Sequence, residues 1–513
     1  MRRAALGLVL AAGAALRFAT LDTQSLWLDE AVTARLLRMD LGAMLQAIPD
    51  SESTPPLYYL VAWLWIHVFG TGEAGMRSLS ALLGTVTIAI VWALGRRLGG
   101  ERAGLAAAVL VAVNPMLVWF SQEARAYALL ALLSALSALL WLRTLEDPCV
   151  PRSSGPTARR QAPGPAAFAR RYARLLAWGA VAGLALATHY YAAFLIAPQA
   201  LWLLLRAPGW RERAALLALP AAAAAALAPL ALGQRENDTA QFITGSGLLA
   251  RLAQLPKQFL VGYDAPLEPL LVAVSALAVV AGFAGLAALL SGRIAAAPGE
   301  RRACARVGAL AAVALALPVL VAIAGEDHLI TRNVLFVLPL ACALAGAGFA
   351  AAARRARRPP ALALAAACAA GLVTLVGVTR SVTLQRDDWR GAVRALGPIT
   401  APRMLVTSAG SFVALHYYLP GLRAASPPTF TTAEIDYLTL PVRLPGGPAR
   451  PPRPAQPVAP AAGFALIGRT DAETFTVLRW AAPAAAPQPV APSPGLDGKP
   501  AAPFTVAPSS PPP

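Results

Sequence analysis

Residues 55–69 read Pro55-Pro56-Leu57-Tyr58-Tyr59-Leu60-Val61-Ala62-Trp63-Leu64-Trp65-Ile66-His67-Val68-Phe69. Whether this run crosses a membrane decides on which side every later loop lies. Its apolar part is about 14 residues long and is preceded by a second proline, whereas a crossing helix needs about 20 residues. A run this short reads as interfacial or re-entrant.

Working outward, longer apolar stretches recur at 4–20, 78–95, 103–119, 126–142, 173–188, 190–205, 214–232, 266–291, 307–324, 333–352 and 360–379. These predict about eleven transmembrane helices by window length. Of the 513 residues, 57% are hydrophobic and only 14% charged, and the mean hydropathy is +0.57. That is too little charge to cover a soluble chain of this size. The net charge of +18 invites a nucleic-acid reading, but its arginines cluster in short loops between apolar runs. We expect membrane lipid as a partner and no nucleic acid.

Charge placement settles the orientation. If 56–69 does not cross, the loops holding Arg96, Arg97 and Arg102, Arg152 to Arg174, Arg206 to Arg213, Arg293 to Arg306, and Arg354 to Arg358 all face the cytoplasm. Roughly twenty basic residues then lie inside against about nine outside, counted before the C-terminal domain. If it crosses, nearly every basic loop faces outward. The first topology is expected, with an uncleaved first span after Met1-Arg2-Arg3 and the C-terminus outside. The four cysteines fall in cytoplasmic loops (Cys149, Cys304) or apolar runs (Cys342, Cys368), so no disulfide is expected.

Past residue 379 the pattern changes. Segment 380–481 predicts a small extracytoplasmic α/β domain: helical spacing over 388–396 and 411–419, a strand at 404–407, and a hairpin from 465–468 and 474–478. From 482 to 513 the chain is Pro- and Ala-rich, and a disordered tail is expected. The expected domains are therefore 1–379, 380–481 and 482–513.

The same topology places the carboxylates Asp22, Asp29, Glu30, Asp50, Glu52, Glu73, Glu123, Glu236, Asp238, Asp264, Glu268, Glu326 and Asp327 outside. In the first external loop, Trp27-Leu28-Asp29-Glu30 sets adjacent carboxylates beside a bulky ring near the membrane, where they must be hydrated or paired. The plain alternative is a helix start, with Asp29 and Glu30 opening a helix through 34–39. In the second, Gln122-Glu123-Ala124-Arg125-Ala126-Tyr127 offers an acid and a base at the mouth of a span, or else an interfacial ion pair in an aromatic belt. Two corners carry histidine: His189-Tyr190-Tyr191, and Glu326-Asp327-His328 ahead of Arg332. A lone interfacial histidine is more often an anchor than a ligand. Arg332 lies where a lipid phosphate would be, and a guanidinium suits phosphate.

Taken in order, Trp27-Leu28-Asp29-Glu30, Pro55-Pro56-Leu57-Tyr58-Tyr59, Arg77-Ser78-Leu79-Ser80, the Gln122–Tyr127 segment, His189-Tyr190-Tyr191, Arg332-Asn333-Val334-Leu335-Phe336-Val337-Leu338-Pro339 and Asp387-Asp388-Trp389-Arg390 resemble the GT-C glycosyltransferases that use polyprenyl-phosphate sugars. The bacterial branch related to protein O-mannosyltransferases and lipid A aminoarabinose transferases is the most similar, over residues 1–395 or so. The resemblance implies a GT-C fold with 56–69 as a juxtamembrane helix, in a multi-pass protein of the bacterial inner membrane. It implies that Asp29 is the catalytic base with Glu30 beside it. Tyr58, Tyr59, Glu123, Arg125, Tyr127, His189 and Arg332 are then candidate substrate-binding residues. The implied partners are a polyprenyl-phosphate sugar donor and a glycan, lipid or protein acceptor, with a divalent metal as the open cofactor question. Two positions depart from the pattern: Thr54 stands where many relatives have histidine, and Asn333 where they often have tyrosine.

A phosphate leaves as a stabilised anion, so one carboxylate base and nearby positive charge suffice. A glycosidase needs a second carboxyl as acid. A transporter would more often show internal repeats and midplane charge; here the charges gather at the outer rim. A ligase using a pyrophosphate-linked glycan is the nearest alternative enzyme. The topology is directly testable: a reporter fused at Arg160 should report the cytoplasm and one at Gly463 the opposite side. Both reporting one side would remove the basis for grouping these residues.

Overall fold

The computed structural model describes residues 2–146, 165–207, 209–236, 243, 246–425, 429–440, 451, 453–489, 493–494 and 500–507. Cys149, most of the basic loop after it, and Asp238 lie outside the described residues. In chain order the helices are α1 (Arg2–Phe18), α2 (Leu28–Leu37), α3 (Leu41–Ser51), α4 (Leu57–Phe69), α5 (Glu73–Val113), α6 (Pro115–Ser121), α7 (Tyr127–Leu145), α8 (Pro165–Thr188), α9 (Ala193–Leu204), α10 (Trp210–Glu236), α11 (Leu248–Val261), α12 (Glu268–Leu290), α13 (Glu300–Ile323), α14 (Leu338–Ala352), α15 (Arg358–Arg380), α16 (Trp389–Ala395) and α17 (Phe412–Tyr418). The strands are β1 (Arg403–Thr407), β2 (Leu422–Ala424), β3 (Thr429–Thr439), β4 (Ala465–Asp471), β5 (Thr476–Pro489), β6 (Ser493–Pro494) and β7 (Pro500–Val506). They divide into two compact units: Met1–Leu21 with Asp40–Leu375, and Asp22–Met39 with Val376–Pro513.

The first unit is helical and built for a bilayer. Seven helical stretches among the described residues are long and apolar enough to cross, and three shorter apolar helices accompany them, among them Leu57–Phe69. The 41-residue α5 is two helices, since Gly99 and Gly100 leave helical geometry, Gly100 with φ 78. A left-handed residue costs glycine least, so the chain reverses there. In α14, a Cβ on Gly346 would sit 2.7 Å from Ala103 O of α5; close backbone approach of this kind is how apolar helices associate in lipid. Helix α4 buries Tyr58, Tyr59, Ala62 and Ile66 on one face and exposes Leu64, Val68 and Phe69. Thirteen residues apolar on both faces suit an interface helix.

The expected span 103–119 ends early, at Val113, because Pro115 has no N–H to continue the ladder. Asn114 instead caps α6, accepting from Leu117 N at 3.0 Å. The carbonyls this break releases are taken by Arg17: Nη2 donates to Val111 O (2.9 Å) and Nη1 to Ala112 O (3.0 Å). Arg17 is fully buried and its Nε also donates to Ser121 Oγ at 3.1 Å. In return, Gln122 Nε2 donates to Leu16 O, Arg17 O and Thr20 Oγ1, covering the carbonyl end of α1. The two helix ends satisfy each other.

The second unit is a mixed sheet in the order β2-β7-β1-β3-β5-β4, with β6 on β7. Only β1 and β3 pair in parallel. All five residues of β1 are buried. Two expectations are corrected here. The 482–513 segment is not disordered throughout: β7 lies between β1 and β2, with Val506 and Phe504 buried in the core. Composition counted only what the tail buries by itself, whereas a strand can borrow a core already built by 380–481. The domain also does not begin at residue 380. It includes 22–39, and Ala31 of α2 packs in the same core as Trp389, Ala392, Leu405 and Val477.

This inclusion bears on topology. Segments 22–39 and 376–507 pack together, so the chain between them must cross a membrane an even number of times. Among the described helices between them, α5, α7, α10, α12, α13, the stretch Thr331–Ala352 and α15 are long and apolar enough to cross, while Leu57–Phe69 and Tyr190–Leu204 are shorter.

The tail strand can be tested in solubilised full-length protein. Phe504→Ala should destabilise the sheet domain by about 3–5 kcal/mol and speed its limited proteolysis. An unchanged cleavage pattern would return the tail to disorder.

Candidate active site

On the second unit, α2 starts at Leu28 after Trp27, whose extended backbone (φ −90, ψ 177) carries no side-chain cap. Asp29 and Glu30 therefore sit inside the first helical turn rather than at the capping position, where the helix dipole still favours carboxylates. Successive helical residues point about 100° apart, and the two carboxylates separate accordingly. Asp29 is half-buried and Glu30 wholly buried, its carboxylate 4.0 Å from Arg386 Nε, itself buried. Thr33 Oγ1 donates to Asp29 O at 3.1 Å.

On the first unit, the dominant feature is a buried ion pair. Arg125 Nη1 donates to Glu52 Oε1 (2.6 Å) and Oε2 (2.7 Å) and lies 3.0 Å from the Tyr59 hydroxyl. Tyr59 is in turn hydrogen-bonded to Thr54 Oγ1 at 3.1 Å, and Tyr58 to Ser80 Oγ at 2.9 Å. Both charged side chains are under a tenth exposed. The segment carrying Arg125 is held by the Gln122 clasp and by the Arg125 N to Glu123 O bond at 2.8 Å; Glu123 is fully buried.

Next to this pair stands a second cluster. The Tyr127 ring lies 5.7 Å from His189 and 5.9 Å from the Arg332 guanidinium. His189 is at the corner between α8 and α9, and its Nδ1 accepts from Tyr191 N at 3.2 Å. That bond leaves the ring proton on Nε2. Burial, then the positive charges of Arg125 and Arg332, push its pKa down to about 3. The imidazole is thus a neutral donor within reach of the charges of Arg125 and Arg332. Arg332 is half-buried, in a 3-10 turn leading into α14. The Asp327 corner makes a different contact: Arg251 binds its carboxylate and Leu329 O, and this hydrogen bonding holds Asp327 below the usual carboxylate range.

Within the membrane unit the structure brings together Tyr59, Arg125, Tyr127, His189 and Arg332. Asp29 and Glu30 belong to the other unit. Sequence reasoning listed Glu52 only among the external acids and passed over its role. The local signal was weak: an acid two residues before Thr54-Pro55-Pro56, with no basic residue nearby. Thr54 was noted only as a departure, and it serves as the Tyr59 partner. No three His, Cys, Asp or Glu side chains among the described residues converge as metal ligands, so no step is derived through a metal.

Residues 53–151 match the sequence model of the family described as dolichyl-phosphate-mannose-protein mannosyltransferase. Among solved structures, the chain is similar to ArnT from Cupriavidus metallidurans in the apo state, at 17% identity and TM-score 0.47, covering 80% of this chain and 83% of that one. It is also similar to the apo Archaeoglobus fulgidus oligosaccharyltransferase, at 15% identity and TM-score 0.47, covering 77% and 57%. The S. cerevisiae Pmt1-Pmt2 complex bound to the sugar donor matches over 47% of this chain and 33% of that one, at 17% identity and TM-score 0.31. No curated protein matches the chain at the same level of significance. The family match covers residues 53–151 of the 513, within the helical membrane unit.

The Arg125–Glu52 pair yields a stability test. Removing one partner strands a buried charge, which costs about 3–5 kcal/mol, while an apolar replacement of the whole pair is often neutral. Arg125→Met or Glu52→Leu alone should lower the thermal unfolding midpoint in detergent. The double substitution should recover most of it. Additive losses would show that the two do not act as a pair.

Proposed function

We propose that this membrane protein is a glycosyltransferase of the GT-C type, which transfers a sugar from a polyprenyl-phosphate donor to an acceptor hydroxyl, with inversion at the anomeric carbon, on the extracytoplasmic face of a bacterial inner membrane. The observation that carries the reading is the Arg125–His189–Arg332 corner. The Tyr127 ring lies 5.7 Å from the His189 ring and 5.9 Å from the Arg332 guanidinium, and the positive charges of Arg125 and Arg332 act on the neutral imidazole. Such a corner suits a phosphate whose hydrocarbon tail lies in the bilayer. The match to a family named for a lipid-phosphate sugar donor supports the same class of substrate.

The roles divide by charge. Arg125 is already neutralised by Glu52, so it shapes the corner and holds Tyr59, while Arg332 supplies the cation for the departing phosphate. His189, neutral, donates from Nε2. Asp29 takes the acceptor proton as the acceptor oxygen bonds to the anomeric carbon. The bond from that carbon to the phosphate oxygen breaks, and the electron pair leaves with polyprenyl phosphate. Glu30 is turned into the sheet domain against Arg386, so it orients α2 rather than exchanging protons. The competing readings are a lipid-linked glycan ligase and a lipid or glycan transporter. A transporter would move labelled lipid without forming a glycosidic bond.

Purified protein with a polyprenyl-phosphate sugar separates these. Asp29→Asn keeps shape and removes the base, so turnover should fall roughly 10²–10⁴-fold with donor affinity nearly unchanged. Arg332→Gln should instead weaken donor binding roughly 10- to 100-fold, as expected for losing a hydrogen bond to a charged group. Near-parental turnover of Asp29→Asn would sink the catalytic assignment.

A further inference from the structure

The loop that delivers Asp29 is tied down by one short segment far along the chain. Arg386 N donates to Gln24 Oε1 at 3.0 Å. Arg390 N donates to Ser25 Oγ at 3.1 Å, and Ser25 Oγ donates to Asp388 Oδ1 at 3.4 Å. The Arg390 guanidinium donates to Asp22 O (2.9 Å) and Gln24 O (3.5 Å). Asp388 also caps α16, accepting from Gly391 N at 2.8 Å, so the helix start and the loop share one carboxylate. One residue further on, Leu26 N donates to the Tyr418 hydroxyl at 2.6 Å. Arg38, at the far end of α2, stacks over Tyr417 at 4.4 Å. Every residue from Asp22 to Leu26 except Thr23 is therefore a partner in these bonds. On the other side of Asp29, Ala31 is locked into the core beside Trp389.

None of these partners is a chemical group for the transfer, and such dense fixation exceeds what an ordinary connecting loop needs. Loops are usually mobile, whereas a general base must be held within a fraction of an ångström of its proton. We propose that Arg386–Arg390 and Tyr418 form a positioning clamp for the catalytic loop, so that Asp388, Arg390 and Tyr418 act on transfer only through Asp29. This rests on the reading of Asp29 as base. It gives the sheet domain a task in the reaction: it is the mount of the base, and docking an acceptor is not required of it.

Arg390→Lys and Tyr418→Phe test it, since each removes clamp bonds while keeping most of the side chain. In full-length protein with an unchanged thermal unfolding midpoint, each should lower kcat roughly tenfold to a hundredfold and leave the donor KM alone. Asp388→Asn, which keeps the accepting oxygen, should retain more turnover than Asp388→Ala. In the Asp29→Asn background the Arg390 and Tyr418 changes should cost nothing further. Equal losses in both backgrounds, unchanged kcat, or an effect confined to KM would overturn the clamp while leaving the base in place. A silent Asp29→Asn would remove both.

Discussion

Hydrocarbon offers no hydrogen bonds, so each place where this chain breaks a helix inside its membrane unit must be repaired from within the protein. The break at Asn114-Pro115 is the one on which the candidate site depends. It stops α5, frees the carbonyls of Val111 and Ala112, and turns the chain into α6 and the Gln122–Tyr127 segment. Arg17 repairs it with a fully buried guanidinium. Gln122 repairs the end of α1 in exchange. A charge in this setting is costly unless its donors are used, and here it fastens the Gln122–Tyr127 segment to the first helix.

From that anchor the electrostatics follow. Arg125 projects from the fastened segment and meets Glu52, making a buried pair that excludes a net charge while holding the Tyr59 hydroxyl. Burial, and then the positive charges of Arg125 and Arg332, keep His189 neutral. Arg332 is left as the partly exposed guanidinium of the group.

The sheet domain solves a different problem. It carries a buried network of Arg403 with Asp436 (3.0 Å) and Glu434 (3.0 Å) across β1 and β3. Burial pushes Asp436 up to about 6 despite the arginines. A carboxylate raised in this way opposes the fold when ionised, so its contribution favours the domain below the unfolded carboxylate range and fades as pH rises through about 6. The network lies in the middle of the sheet.

Much was legible in the sequence because the bilayer is a strict solvent. Helix length and apolar composition act locally along the chain, and together they read out a polytopic helical protein. The small domain's hairpin and helices were legible from period alone. Three things were not. The strand at 500–506 has only a short apolar alternation, Ala502, Phe504 and Val506, in a Pro- and Ala-rich context, and it is held by pairing with β1 and β2. Glu52 lies 73 residues from Arg125, and nothing in either neighbourhood announces the pair. The 22–39 loop reads as a membrane-protein connection, yet it is part of a domain whose other residues begin more than three hundred positions later. Solvent partition is a property of segments and so is written in the sequence. Pairing between distant groups depends on which surfaces the folded chain brings within 3 Å, and only the tertiary structure decides that.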